Sequence, residues 1–345
     1  MSDLSQHLVT AWEARASFRE QCRDEDTNAY RLFHGTNEGA SGVTVDCYGN
    51  LVLIQSFHET LPPDDIETIE SHFSTRLSQD HYFVYNDRSL ANSRTSNVLS
   101  ETQERLARQR IECRELGVKF AAQGRHRGQD PLLFLDFRAA RRYIQANAAQ
   151  KSVLNLFAYT CGIGVVAATS GASSVVNVDF AESSLSVGQD NARRNQIDEG
   201  VIEFIQSDFF TAAKQFAGLP VKARGNPKHK GKAVRLPPYQ RFEERQFDLV
   251  VLDPPRWAKS PFGVVDLVRD YPSVLKPAVL TVKPGGELLC TNNVASVSRE
   301  DWLDSLKRCV QKCGRTLRDL EVITPEVDFP TPDGLPPLKM AVLRL

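Results

Sequence analysis

The chain lacks a charge excess of either sign. Its 345 residues carry 42 Lys and Arg against 43 Asp and Glu, for a formal net charge of -1. That excludes a basic field over the whole chain, so affinity for nucleic acid has to come from a local patch. It lacks metal-ligand spacing among its seven cysteines. Cys309 and Cys313 stand four apart on an expected helix with no His or Cys cluster nearby, which implies reduced thiols and no metal. No apolar run is long enough to span a bilayer. Met1-Ser2-Asp3-Leu4 is not a basic-then-apolar leader, and the expectation is a cytoplasmic protein with no membrane partner. What is present is ordinary globular composition, 41% hydrophobic and 25% charged. The length suggests two domains.

The richest stretch is 152–180. Val153 to Phe157 is an apolar run of strand type, ending in a turn at Cys161-Gly162-Ile163-Gly164. A helix starts at Val165 and stops at Ser170-Gly171. Val175 to Val178 is a second strand, with Asp179 at its end. In a doubly wound sheet, ligands sit at the carboxyl ends of such strands. There the glycine turn admits a ligand to the backbone, and the acid accepts from ribose hydroxyls. Ala167 at the third glycine position leaves a G-x-G-x-x-A dinucleotide site open on the glycines alone. Further along, Asp208 ends a third strand, 201–205, and Asp253-Pro254-Pro255 ends a fourth, 247–252.

Taken in order, these stretches resemble motifs I to IV of the class I S-adenosylmethionine-dependent methyltransferases. The resemblance implies an α/β fold: a Rossmann-like sheet of seven strands, the last antiparallel, with a small N-terminal α+β domain. It implies S-adenosylmethionine as cofactor, held by Asn155, Phe157, Tyr159, Thr160, Gly162, Asp179, Phe180, Asp208, Phe209 and Asp253. Asp208 falls where the family's acid contacts the adenine amine. No metal is expected.

Before motif I, residues 1–30 read as one amphipathic helix, with Leu4, Leu8, Ala11 and Trp12 on one face, and a polar turn from Gln21. Residues 31–115 read as a small α+β domain open to RNA contact. It has a hairpin turning at Tyr48-Gly49-Asn50, a helix opened by Pro62-Pro63, and Ser100 with Gln103 as a capping box. Residues 116–345 make the methyltransferase domain. Phe134-Leu135-Asp136-Phe137-Arg138 followed by Arg141-Arg142 resembles the large-subunit ribosomal RNA methyltransferases. Two of their types are in view, the cytosine-5 enzymes and the guanine-N7 half of the bifunctional enzyme. The stretch Tyr30 to Gly39 and the strand Gly42 to Asp46 resemble the central domain of the cytosine-5 type. No room is left for that type's N-terminal PUA module. The resemblance covers the chain from about residue 28 and implies an RNA partner, probed by Arg138, Trp257 and Asn292.

One segment stands apart. Residues 222–245 carry eight Lys or Arg, Lys228, Lys230 and Lys232 among them, opposed by Glu243 and Glu244. Glycine and proline interleave with them. This reads as a phosphate-binding arm, or else as a solvated insertion. Pro325 to Pro337 reads as a proline-rich loop, either covering the site or lying on the surface.

The nucleophile separates the two enzyme types. Cytosine C5 needs a cysteine to attack C6 first. In the cytosine-5 family that cysteine follows strand five, and alignment puts Asn293 there. Cys290 falls three residues early, within the strand. Thr291-Asn292-Asn293 is similar to the Ser-Asn-Asn of the guanine-N7 type, whose acceptor nitrogen has a free lone pair. The catalytic set is therefore Asp253, Pro254, Pro255 and Asn293, with guanine N7 favoured. Cys161 is expected to turn its thiol toward the methyl donor. A cytosine-5 enzyme, a methyltransferase of a non-RNA substrate and a non-catalytic RNA-binding relative remain as alternatives.

Overall fold

Alternating and continuous apolar runs fold into two units in a computed structural model. It describes residues 3–89, 97–126, 130–221, 228–229, 232–233, 240–260, 263–268, 270–331 and 333–345. One unit comprises residues 1–142 with 325–336, the other residues 143–324 with 337–345.

The first unit begins with α1 (Asp3–Ala14) and α2 (Ala16–Asp24). The single helix expected over 1–30 is thus two, and α2 occupies much of the expected polar turn. The break is at Arg15, whose φ of -97° and ψ of 12° leave the helical region. Its guanidinium is buried, donating to Glu38 at 2.6 Å and to the Ala11 carbonyl at 3.0 Å. A four-stranded sheet follows, β1 (Ala29–His34), β2 (Val43–Tyr48), β3 (Leu51–Ser56) and β4 (Tyr82–Asp87), in that spatial order. The first three are antiparallel neighbours, and α3 (Pro63–Ser74) carries the crossover that makes β4 parallel to β3. Leu8, Phe33, Val45, Ile54, Ile69 and Phe73 belong to its core. Next come α4 (Glu101–Arg108), opened by the Ser100–Gln103 capping box, and the hairpin of β5 (Ile111–Glu115) and β6 (Val118–Ala122).

The start of α5 (Arg138–Asn147) lies in an ionic cluster. Arg138 is 1% exposed. Its guanidinium donates to Glu115 at 3.1 Å, to Asp328 at 3.0 Å and to the Ala29 carbonyl at 2.9 Å. Arg141 also donates to Glu115, and Arg142 donates to Glu25 and Glu326. The expectation that Arg138 binds substrate is corrected here, because buried acids occupy its donors. Within the proline-rich loop, Asp328 is fully buried as the counter-ion of Arg138.

The second unit holds a seven-stranded sheet. Its strands are β7 (Ser152–Leu156), β8 (Ser174–Asp179), β9 (Ile202–Gln206), β12 (Phe247–Leu252), β15 (Val282–Asn292), β16 (Asp319–Ile323) and β17 (Lys339–Arg344). Two short hairpins intervene, β10 (Lys228–His229) with β11 (Lys232–Ala233) and β13 (Trp257–Ser260) with β14 (Gly263–Asp266). The helices are α6 (Gly162–Thr169), α7 (Glu182–Arg194), α8 (Phe209–Phe216), α9 (Tyr271–Leu280) and α10 (Arg299–Lys312). Spatial order is β16-β17-β15-β12-β7-β8-β9, with β17 antiparallel to both neighbours. This is the Rossmann-like sheet expected. Its central strands are near-continuous apolar runs because helices cover both faces. Chain order reverses between β7 and β12, which places a crevice at their carboxyl ends. Among the described residues no helix is long and apolar enough to cross a membrane.

Candidate functional site

The turn after β7 departs from ordinary backbone geometry. Phe157, Tyr159 and Cys161 all have positive φ, at 59°, 48° and 60°. Side chains rarely adopt this region, and such strain persists only where surroundings enforce it, often at ligand sites. Here Asp179 enforces it. Its carboxylate accepts from the Tyr159 N–H and the Ala181 N–H, both at 2.8 Å. The Asn191 amide holds the Thr160 carbonyl at 3.1 Å. Burial pushes the Asp179 carboxyl above its ordinary range, opposed by backbone N–H groups of Ala181, Tyr159 and Phe180. Each oxygen already bonded to an N–H keeps a second lone pair for a hydroxyl donor.

The glycines divide their work. Gly162 begins α6 within reach of the turn, half-buried. Gly164 serves packing: a Cβ there would lie 2.0 Å from the Asn177 side-chain oxygen. Asn155 is buried within β7, donating to that same Asn177 oxygen at 2.9 Å. Cys161 does not turn outward as expected. It is 0% exposed, and a Cβ on Gly188 of α7 would meet its sulfur at 2.4 Å. Burial, with Asp179 nearby, raises its thiol well above the ordinary range, so it fills space under the turn.

Aromatic rings and a second acid flank this turn. Phe157 stacks on Phe209 with centroids 4.7 Å apart. Phe180 is 69% exposed, its ring open to a planar partner. Asp208 caps α8, its side chain accepting from the Thr211 N–H at 3.0 Å. These residues form a buried acid, a strained turn, an exposed ring and a capping acid at neighbouring strand ends. The set suits a nucleoside with ribose hydroxyls and an aromatic base.

At the end of β12, Asp253 is half-buried and accepts from the Thr291 hydroxyl. The Thr291 carbonyl accepts from Tyr271 at 2.7 Å. Pro254 is buried and Pro255 exposed. Both rings fix φ, leaving rigid carbonyls. Trp257 is 51% exposed, with the Arg256 guanidinium 5.3 Å from its ring centroid. Beyond β15, Asn293 is exposed and Asn292 buried. Asp253, Thr291 and Asn292 thus share one end of adjacent strands, in the register Leu252 beside Cys290. Cys290 is 0% exposed, its sulfur against the Ala341 carbonyl, and burial raises it far above an ordinary thiol.

Lys228 lies opposite Ala233 and Lys232 opposite His229 in the β10–β11 hairpin, whereas Lys230 lies outside the described residues. Sequence reasoning passed over Tyr271 and Lys339, and named Thr291 within its motif without giving it a role. A signal existed for Lys339, a single cation inside the apolar run Leu338 to Leu343. Among the described residues, no cluster of three or more His, Cys, Asp or Glu is placed to hold a metal ion.

Comparison with known proteins follows the same lines. A family model for S-adenosylmethionine-dependent methyltransferases matches residues 30–222. The ribosomal RNA large subunit methyltransferase I of Aeromonas salmonicida is 25% identical over 333 residues, 93% of this chain and 76% of that protein. A ribosomal RNA large subunit methyltransferase of Deinococcus radiodurans is 26% identical over 298 residues, 86% of this chain and 67% of that one. In fold, a candidate methyltransferase of the same cofactor class from Streptococcus mutans superposes with a TM-score of 0.74 at 20% identity. That match covers 100% of this chain and 82% of the other.

Proposed function

The chain belongs to the S-adenosylmethionine-dependent methyltransferase family, and on that premise we propose that it methylates a base of large-subunit ribosomal RNA at nitrogen, guanine N7 foremost. The names of the relatives support the RNA class. The observation that carries the choice of atom is the end of β15. The residue aligned with the cytosine-5 nucleophile is Asn293, exposed, and the nearest thiol in sequence is the fully buried Cys290. Cys309 and Cys313 sit at the far end of α10. Covalent attack on a pyrimidine has no thiolate to draw on, whereas a purine ring nitrogen needs none.

When bound, S-adenosylmethionine supplies an electrophilic methyl group on a sulfonium, and the protein's contribution is position and electrostatics. Asp179 accepts from the ribose hydroxyls, Phe180 and the Phe157–Phe209 stack flank the adenine, and Asp208 takes its amine. Tyr159, Thr160 and Gly162 present backbone to the donor end. Asp253, fixed by Thr291, and the proline carbonyls orient the acceptor base. Asn292 and Asn293 hydrogen-bond its edge, and Trp257 stacks on an unpaired ring. Lys228, Lys230 and Lys232 neutralise phosphates.

The test is incubation with S-adenosylmethionine and ribosomal RNA, then mass spectrometry of the nucleosides. The expected product is 7-methylguanosine, with Cys290→Ser active and Asn293→Ala slowed. Formation of 5-methylcytidine together with an inactive Cys290→Ser overturns the nitrogen reading.

A further inference from the structure

Two donors are buried at the end of β15, the strand next to the one that Asp253 ends. Asn292 is 3% exposed, and its Oδ1 accepts from the Val294 N–H at 2.9 Å. That bond fixes the amide's orientation, since a flipped amide would set NH2 against N–H. The Nδ2 group is buried without a partner among the described residues. Directly across the antiparallel pair stands Lys339. Opposed residues project from the same face, with Cβ atoms about 5 Å apart. Lys339 is 5% exposed. Its ammonium donates to the Val294 carbonyl at 2.9 Å and the Pro337 carbonyl at 3.1 Å, both neutral. No carboxylate pairs with it among the described residues, and burial holds it below the ordinary lysine range. A buried cation without a counter-charge and a buried amide without an acceptor are each costly. A native protein that keeps both within one cross-strand pair has a use for them.

We propose that Lys339 and Asn292 form a double-donor site for a keto oxygen of the target base, the one adjoining the nitrogen that takes the methyl group. This rests on the base-methylation reading above. The pair adds a specificity element to the strand end: a purine with an amino group in place of the keto oxygen would set donor against donor.

Asn292→Asp separates this from a bracing role. The variant puts a carboxylate opposite the ammonium and removes the amide donor. The expected result is a melting temperature raised by about 2 °C or more, S-adenosylmethionine affinity within about twofold of wild type, and kcat/KM for RNA lowered about tenfold or more. Lys339→Met should lower kcat/KM similarly while lowering the melting temperature. Unchanged turnover in a stabilised Asn292→Asp protein overturns the proposal, leaving Lys339 as a brace for the Val294 turn. An unshifted or lowered melting temperature for that variant overturns it too, because no uncompensated cation then sits there. A wild type inactive on ribosomal RNA defeats the RNA reading, and the proposal that rests on it falls too.

Discussion

Asp179 and Asp248 are both carboxylates bonded to backbone N–H groups, yet they titrate in opposite directions. Burial dominates at Asp179 and raises it. At Asp248 burial also pushes upward, but bonds from Ser152 and Lys283 outweigh it and bring the carboxyl to about 2. A depressed folded-state pKa gives stability present above the unfolded value of about 3.9 and lost as pH falls through about 2. Asp248→Asn should therefore lower the melting temperature at pH 7, and the gap from wild type should narrow by pH 3. The effect is small, since the side chain is a third exposed. Asp179→Ala should weaken S-adenosylmethionine binding about tenfold or more by calorimetry, the scale of one charged hydrogen bond. Residue type was readable for the strand-end acids because the motifs state their context. It misled at Arg138, where the sequence displays an arginine and hides the distant Asp328 that consumes it.

The β7–α6 turn and the start of α5 differ in what local sequence discloses about an element. Strand, glycine turn and helix over 152–169 were legible from apolar runs and glycines. The left-handed Phe157, Tyr159 and Cys161 were not, because their backbone is imposed by Asp179 from the next strand. The break at Arg15 was equally hidden, since apolar spacing continues through it while the buried Arg15–Glu38 pair bends the chain. At α5, Arg138→Met leaves Glu115 and Asp328 short of a counter-ion in a buried setting. A loss of about 3–5 kcal/mol is expected for breaking such a cluster from one side. Denaturant unfolding measures it, and cofactor affinity in the protein that remains folded should be unchanged.

Across the whole molecule, a seven-stranded sheet with its last strand antiparallel was implied by the motif resemblance, and the structure adds the strand order, which reverses at the crevice. The basic segment belongs to this scale too, because its charge acts on a polyanion as a sum. Deleting residues 222–241 should weaken RNA binding and flatten its dependence on salt, with cofactor affinity unchanged. An unaltered slope in filter binding would make the segment a bystander. The path of the chain beyond Thr324 carries a consequence for synthesis. Residues 325–336 complete the first unit with Asp328, and the strand after them, β17, enters between β15 and β16. Until both have emerged from the ribosome, Arg138 has Glu115 but lacks Asp328, and β16 has no neighbour to pair with. A chain stalled or clipped before residue 325 is therefore incomplete in both units at once.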